Sequence, residues 1–386
     1  MTTQATTRAV AHPFGRRRPA PVRAPVRVAV RVAVRVALAG VLLLAPAACT
    51  AAPPSPAAVP PAVPPDTKQL PTSDGPANAI CTVRSSFAPS SAPPQAVLGR
   101  GPGEGLVVGV DLSDATMSHW NAESQQFEGF NIDLVLAVAR AIWPGEADPR
   151  KRIVFKVVPP GQGAFAMLEA NHPDRVDFIA TSLTASCERA KQVIFSNDYL
   201  DSGQTVLVRR KDGRPDGLPE YAGLEQLGGR RICAAAQTTS LAMIVGYRTA
   251  SGRRPVPVQA AHAIDCLVML RQGQVDGVST DENILLGFTQ MATDTALVTE
   301  PPPNNDPFCR YHDGRWPCTW FTDEPHAFAF ARDNPDSLAL ARFVNHVLES
   351  MRASKLWATA HKRWLAHHPD RGMPTPGPSV TSWPPG

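Results

Sequence analysis

No stretch of this sequence reaches the ~20 consecutive apolar residues that a membrane-spanning helix requires. The apolar run VALAGVLLLAPAA, residues 36–48, falls short of that length and does not read as a span. Acids are missing from the first 35 residues, where Arg16, Arg17, Arg18, Arg23, Arg27, Arg31 and Arg35 hold much of the basic excess. Net charge is only +4, so once that segment is set aside no basic surface remains to suit a nucleic acid. A common zinc-ligand spacing is absent too: Cys309 and Cys318 bracket His312, but in no familiar pattern, which leaves metal binding there as the weaker alternative to a disulfide. Proline is abundant instead, and both ends are too rich in it to build a core. The remaining length suits about two domains.

Basic residues, then an apolar core, then small residues up to Cys49 form the pattern of an export signal, here read as having an overlong basic leader, with a start codon assigned too far upstream as one reading of its length. TAAPPSPAAVPPAVPP follows as an extended spacer. The small-small-Cys end before a tether resembles the lipobox of bacterial lipoproteins, apart from Pro46 where that motif usually has leucine. The resemblance implies lipidation of Cys49 and anchoring at the outer face of the cytoplasmic membrane; the alternative is a plain signal peptide with an incidental cysteine. Six cysteines remain, namely Cys81, Cys187, Cys233, Cys266, Cys309 and Cys318. An even number in an exported chain favours disulfides, whose connectivity the sequence leaves open, with a local Cys309 to Cys318 bridge the safest expectation.

Residues 70–104 read as a loose arm pinned by Cys81. Ordered structure is expected from GLVVGVD (105–111), a buried strand ending on Asp111, followed by the helical stripe of GFNIDLVLAVARAIW (129–143). RIVFKVV, a short helix from GAFAMLEANH, and RVDFIAT continue a strand, helix, strand rhythm that implies a parallel sheet with right-handed crossovers. Ligands of such sheets lie beyond the carboxyl ends of the strands. Asp111 and the run SLTASCER, Ser182 to Arg189, both arrive at that rim. A second α/β unit between about 207 and 325 repeats the pattern, with Thr238, Thr239, Ser240 and Asp281 at its strand ends. Two closing helices precede a tail, 369–386, whose composition reads as disordered.

Several segments together resemble the bacterial solute-binding proteins of family 3, the polar amino acid receptors of ABC importers. EGFNIDLVLAVARAI is similar to that family's GFDIDL helix, and VDFIATSLTASCERAKQVIFSNDYLDSGQTVLV to its stretch from VDL through TxxR to the FS.PY..SG crossing. RRICAAAQTTSL, LRQGQVDGVSTD and the closing helices with Trp357 and Trp364 match in order, over roughly residues 105–366. The resemblance implies a two-lobed α/β fold of the type II periplasmic-binding-protein kind, each lobe a mainly parallel sheet flanked by helices. Lobe 1 would span 105–204 and 327–368 and lobe 2 205–326, joined by crossovers near Ser202 to Thr205 and Glu324 to Phe328. It implies an amino acid clamped between the lobes, glutamate, glutamine or aspartate leading, with no cofactor and no catalysis. The α-carboxylate would meet Arg189, Thr184 and N–H groups near Ser182 and Thr239, beside Thr238. The ammonium would meet Asp281, with Asp111 lining lobe 1 and Trp120 walling the side chain. The partner would be an ABC permease or, alternatively, a signalling membrane protein, and the chain a monomer.

The chemistry suits those residue types. A zwitterion taken out of water needs charge-assisted hydrogen bonds of ~1.5–3 kcal/mol at each end, and the planar guanidinium fork matches a carboxylate. Plainer roles stand beside these: Arg189 as a surface residue in a helix's first turn, Thr184 and Asp281 as helix caps. The chain also departs from the family. Ser182 replaces a glycine, Gln237, Thr238 and Thr239 replace Gly-Ser-Thr, and an aromatic-rich segment has become SDATMSHW. Ala164 stands near where relatives that bind acidic side chains often carry an arginine. A dehydratase or murein lyase on the same scaffold is the enzymatic alternative, with Glu188 or Asp111 as its acid or base. The insertion FCRYHDGRWPCTW, within 305–322, reads as a staple or a partner-facing loop.

Overall fold

The computed structural model describes residues 68–69 (backbone only), 81–101, 104–112, 114–300, 319–366 and 372–385. The signal segment, Cys49, and the Cys309 and Cys318 pair lie outside the described residues.

Two sheets organise the chain as two lobes. In lobe 1, Leu106–Val110 lies between Ile153–Val157 and Phe178–Ile179, parallel to both. Ala329–Ala331 then adds antiparallel to Phe178–Ile179, and Val193–Phe195 antiparallel to it at the edge. In lobe 2, Arg231–Ala235 runs parallel to Val256–Ala260 and to Gly277–Asp281. Gln204–Arg209 and then Thr295–Leu297 extend that sheet antiparallel. Each sheet thus has a parallel centre, and the strands that follow the crossovers, Gln204–Arg209 and Ala329–Ala331, run the other way. The architecture is the two-lobed type II periplasmic-binding-protein fold.

The helical stripe read from the sequence forms the helix Phe130–Ile142, whose Phe130, Leu134 and Val138 are buried with Leu106, Val108, Phe178 and Phe328. The closing helices Pro335–Ala353 and Leu356–Trp364 complete that core, and Trp357 Nε1 donates to Tyr199 O at 2.7 Å. In lobe 2 the helices Ala263–Arg271 and Glu282–Met291 pack on Leu207 and Val278, with the Cys233–Cys266 disulfide inside the cluster.

The chain passes between the lobes twice, and the two passages are paired. Tyr199 N and His326 N donate to His326 O and Leu200 O, and Glu324 N to Ser202 O. Gly203 is needed there, because a Cβ would fall 2.4 Å from the Trp320 ring.

Both ends of the described chain add to this frame. Lys68–Gln69, in the segment read as a tether, pairs antiparallel with Val256–Ala260 as an edge strand. The arm is pinned by Cys81–Cys187. Beyond that bond, Arg84 reaches Asp198 and Asp201 on the first passage and Asp323 on the second, each at 2.7 Å. Burial works against the guanidinium charge, but Asp323, Asp201 and Asp198 outweigh it and leave Arg84 above its ordinary value. The tail corrects the expectation of disorder: Trp383 stacks on Phe87 and its Nε1 donates to Ala190 O and Val193 O, while Val380 N donates to Ser86 O. One aromatic residue with two carbonyl acceptors orders a segment whose composition alone argues otherwise.

Candidate functional site: the interlobe cleft

Strand ends from both lobes converge on one cavity of about 50 Å³. Lobe 1 supplies Asp111, Ser182, Thr184 and Arg189; lobe 2 supplies Thr238, Thr239 and Asp281. Trp120 stays apart, half-exposed on the strand His119–Asn121 with its ring against Phe127.

Arg189 sits on the short helix Cys187–Ala190, whose N-cap is Ser186, so Thr184 is not the cap. Its side chain is buried at 3 % exposure, which excludes the surface role. Nη1 donates to Thr184 O at 3.0 Å, and among the described residues Nε has no hydrogen-bond partner. Among the described residues no carboxylate oxygen lies within ion-pairing distance of it. Burial pushes the guanidinium down to about 10, only partly offset by the charges of Glu324 and Asp281.

Asp281 closes the strand Gly277–Asp281 and stands at the N-cap position of the next helix without capping it. Among the described residues its Oδ1 has no hydrogen-bond partner, although the side chain is buried. Burial, then the neighbouring Glu324, push its carboxyl well above the usual range.

Glu324, on the second passage, was not legible in the sequence. Its Oε2 accepts from Thr184 Oγ1 and Thr239 Oγ1, both at 2.7 Å, one from each lobe, and Oε1 accepts from Thr322 Oγ1 at 2.9 Å. His326 follows two residues on, its Nε2 3.7 Å from Asp281 Oδ2 and 3.2 Å from Asn283 Oδ1. Asp114 is the other acid that the sequence reading passed over. It lies in SDATMSHW, which was read only as a loss of aromatics. A carboxyl-rich turn and an acid in a crossover were the available signals.

The lobes also touch through backbone alone. Gly161 has φ +57°, and a Cβ there would lie 2.1 Å from Gln237 O of the opposite lobe. Next to it Gln162 N donates to that same oxygen at 3.2 Å.

The cleft is therefore shut around a guanidinium with a vacant donor edge and a carboxyl with a vacant acceptor, supplied by different lobes. The model of the bacterial extracellular solute-binding proteins, family 3, matches residues 106–367. The chain belongs to this family.

As an extracellular solute-binding protein it is an exported receptor that binds its solute and does not turn it over. The ABC transporter glutamine-binding protein GlnH of Bacillus subtilis (strain 168) is 26% identical over 265 residues, covering 68% of this chain and 82% of that protein. The glutamate-binding protein GluB of Corynebacterium glutamicum is 25% identical over 178 residues, covering 46% of this chain and 52% of its own length. Among solved structures, the arginine-, lysine-, histidine-binding protein ArtJ of Geobacillus stearothermophilus superposes with TM-score 0.52 at 20% identity, over 69% of this chain and 98% of that one. A mutant of ArgBP from T. maritima gives 0.51 at 20%, over 68% and 96%. These two share the fold.

His326 carries a pH signature for the solute-binding protein. Burial, then the charge of Arg189, push its imidazole down to about 3 from 6.5. Between those values the unfolded chain binds a proton that the folded one refuses, so this contribution is full above pH 6.5 and is lost as pH falls. Asp114, raised by burial to about 6, acts in the opposite sense. Melting temperatures of the parent and His326→Gln from pH 7.5 to 4 should therefore converge towards acid. A constant gap would mean that the ring is not held neutral.

Proposed function

We propose that this protein binds a free polar amino acid in the interlobe cleft and presents it to an ABC importer. The α-carboxylate meets Arg189, with Thr184, Thr239 and N–H groups near Ser182 filling its remaining lone pairs. The ammonium meets Asp281, joined by Glu324 as a second acceptor, while Asp111 and Thr238 line the walls. The observation that carries the reading is the pair of vacant groups, Arg189 Nε and Asp281 Oδ1, buried in opposite lobes at one cavity. Because the two poles of one ligand are held by different lobes, the closed form gains contacts that the open form lacks, and ligand shifts the population towards closure.

Cys49 carries the lipid that holds the receptor at the outer face of the cytoplasmic membrane, as the small-residue approach to it and the proline spacer support. The receptor acts as a monomer, because each cleft is completed by one chain. The curated relatives are named for an amide and an acid side chain, so their names leave the ligand's side chain open.

A thermal-shift panel of the common amino acids on the mature chain tests the reading. A subset should raise the melting temperature in proportion to the logarithm of ligand concentration over Kd. A panel flat for every amino acid, at concentrations up to ~10 mM, would remove the amino acid assignment.

A further inference from the structure

The cavity is unevenly charged. Asp111, Asp114 and Asp281 line it, Glu324 adjoins Asp281, and Arg189 is the only basic side chain among the described residues that line it. The backbone of an amino acid answers part of this: its carboxylate pairs with Arg189 and its ammonium with Asp281 and Glu324. Asp114, on lobe 1, then faces whatever the side chain brings. Resting on the amino acid reading above, we propose that the cleft selects an amino acid with a positively charged side chain, an ammonium or a guanidinium, and that Asp114 is the residue setting this choice.

Asp114 is 2 % exposed and its carboxylate is held rigidly. Oδ1 accepts from Thr116 N and Met117 N at 3.1 Å and from Thr116 Oγ1 at 3.0 Å, all in its own turn. Among the described residues Oδ2 accepts only from Ser182 Oγ, at 3.1 Å, and both side chains line the cavity. A carboxylate oxygen has room for a further donor there. Burial raises its carboxyl to about 6, so at neutral pH it still presents a negative charge, and among the described residues no basic side chain pairs with it. A ligand guanidinium or ammonium supplies that partner. A ligand carboxylate would be buried against Asp114, a like-charge placement that works against binding. An amide should fall between the two.

The plainer role for Asp114 is a turn staple, and Asp114→Asn separates the roles. Asparagine keeps an oxygen for the three turn donors, and Ser182 can reverse its hydroxyl towards the amide, so the variant should retain the parent melting temperature. Calorimetry at pH 7.5 on the mature chain would compare L-arginine, L-lysine, L-glutamine and L-glutamate. One of the two cationic ligands should bind at least ~30-fold tighter than glutamate, the factor set by a buried charge pair. Asp114→Asn should shrink that ratio by about 10-fold or more without loss of fold. Glutamate binding as tightly as either cationic ligand would overturn the proposal while leaving the amino acid reading intact. An unchanged ratio in a folded Asp114→Asn would return Asp114 to a staple. Binding by none of the four, together with a flat panel over the other amino acids, would instead sink the underlying reading.

Discussion

Arg189→Ala should fold normally and lose ligand affinity by ~3–5 kcal/mol, because the ligand carboxylate is then buried without its ion partner. The two halves of this outcome have one cause. Burial already disfavours the guanidinium and holds it down to about 10, and among the described residues its side chain makes a single hydrogen bond, to Thr184 O. Removing it costs the resting fold little and can even raise its melting temperature, the usual relation between a binding site and stability. Arg189→Lys should recover only part of the affinity, since a point charge cannot pair bidentately as the planar fork does. Isothermal calorimetry with the best ligand from the panel, set beside thermal unfolding without ligand, reads both quantities. Unaltered affinity in the alanine variant would take Arg189 out of the site.

Arg84→Ala should behave in the opposite way, damaging the frame and leaving the cleft's chemical groups untouched. One guanidinium neutralises Asp198, Asp201 and Asp323 across both passages, and Asp198 is already raised to about 6 by burial in spite of Arg84. Breaking a fully buried ion pair costs ~3–5 kcal/mol. The Arg84 side chain keeps 34% of its exposure, so solvent screening reduces the expected loss to about 2 kcal/mol. Denaturant unfolding measures it. Asp198→Asn in the Arg84→Ala background should recover part of the loss, because it removes the most buried of the unpaired charges. A loss below ~0.5 kcal/mol would reclassify the cluster as a solvated surface network.

What the sequence made legible was whatever is encoded locally. Strand ends followed by polar runs put Asp111, Ser182, Thr184, Arg189, Thr238, Thr239 and Asp281 at one rim, and all of these line the cavity. The apolar stripe of 129–143 likewise announced its helix. Groups whose partners are far away in sequence were not legible. Glu324 meets Thr184 across 140 positions, and Arg84 meets Asp323 across 239. No periodicity or spacing reports such meetings. Trp120 failed for a related reason: an aromatic just after a strand end suggests a pocket wall, but the ribbon of His119–Asn121 with Gln126–Glu128 turns it onto Phe127. In the tail, proline and glycine content outweighed Trp383, whose two carbonyl partners lie in lobe 1.

Where the halves meet at Gly161, the approach is so near that a single methyl group has no space. Any larger residue at this position is a spacer that props the jaws ajar, and in doing so it draws Thr239 of one lobe away from Thr184 of the other. One backbone hydrogen atom thus sets how far the two halves can approach, and with it whether a guest can be gripped from both sides at once.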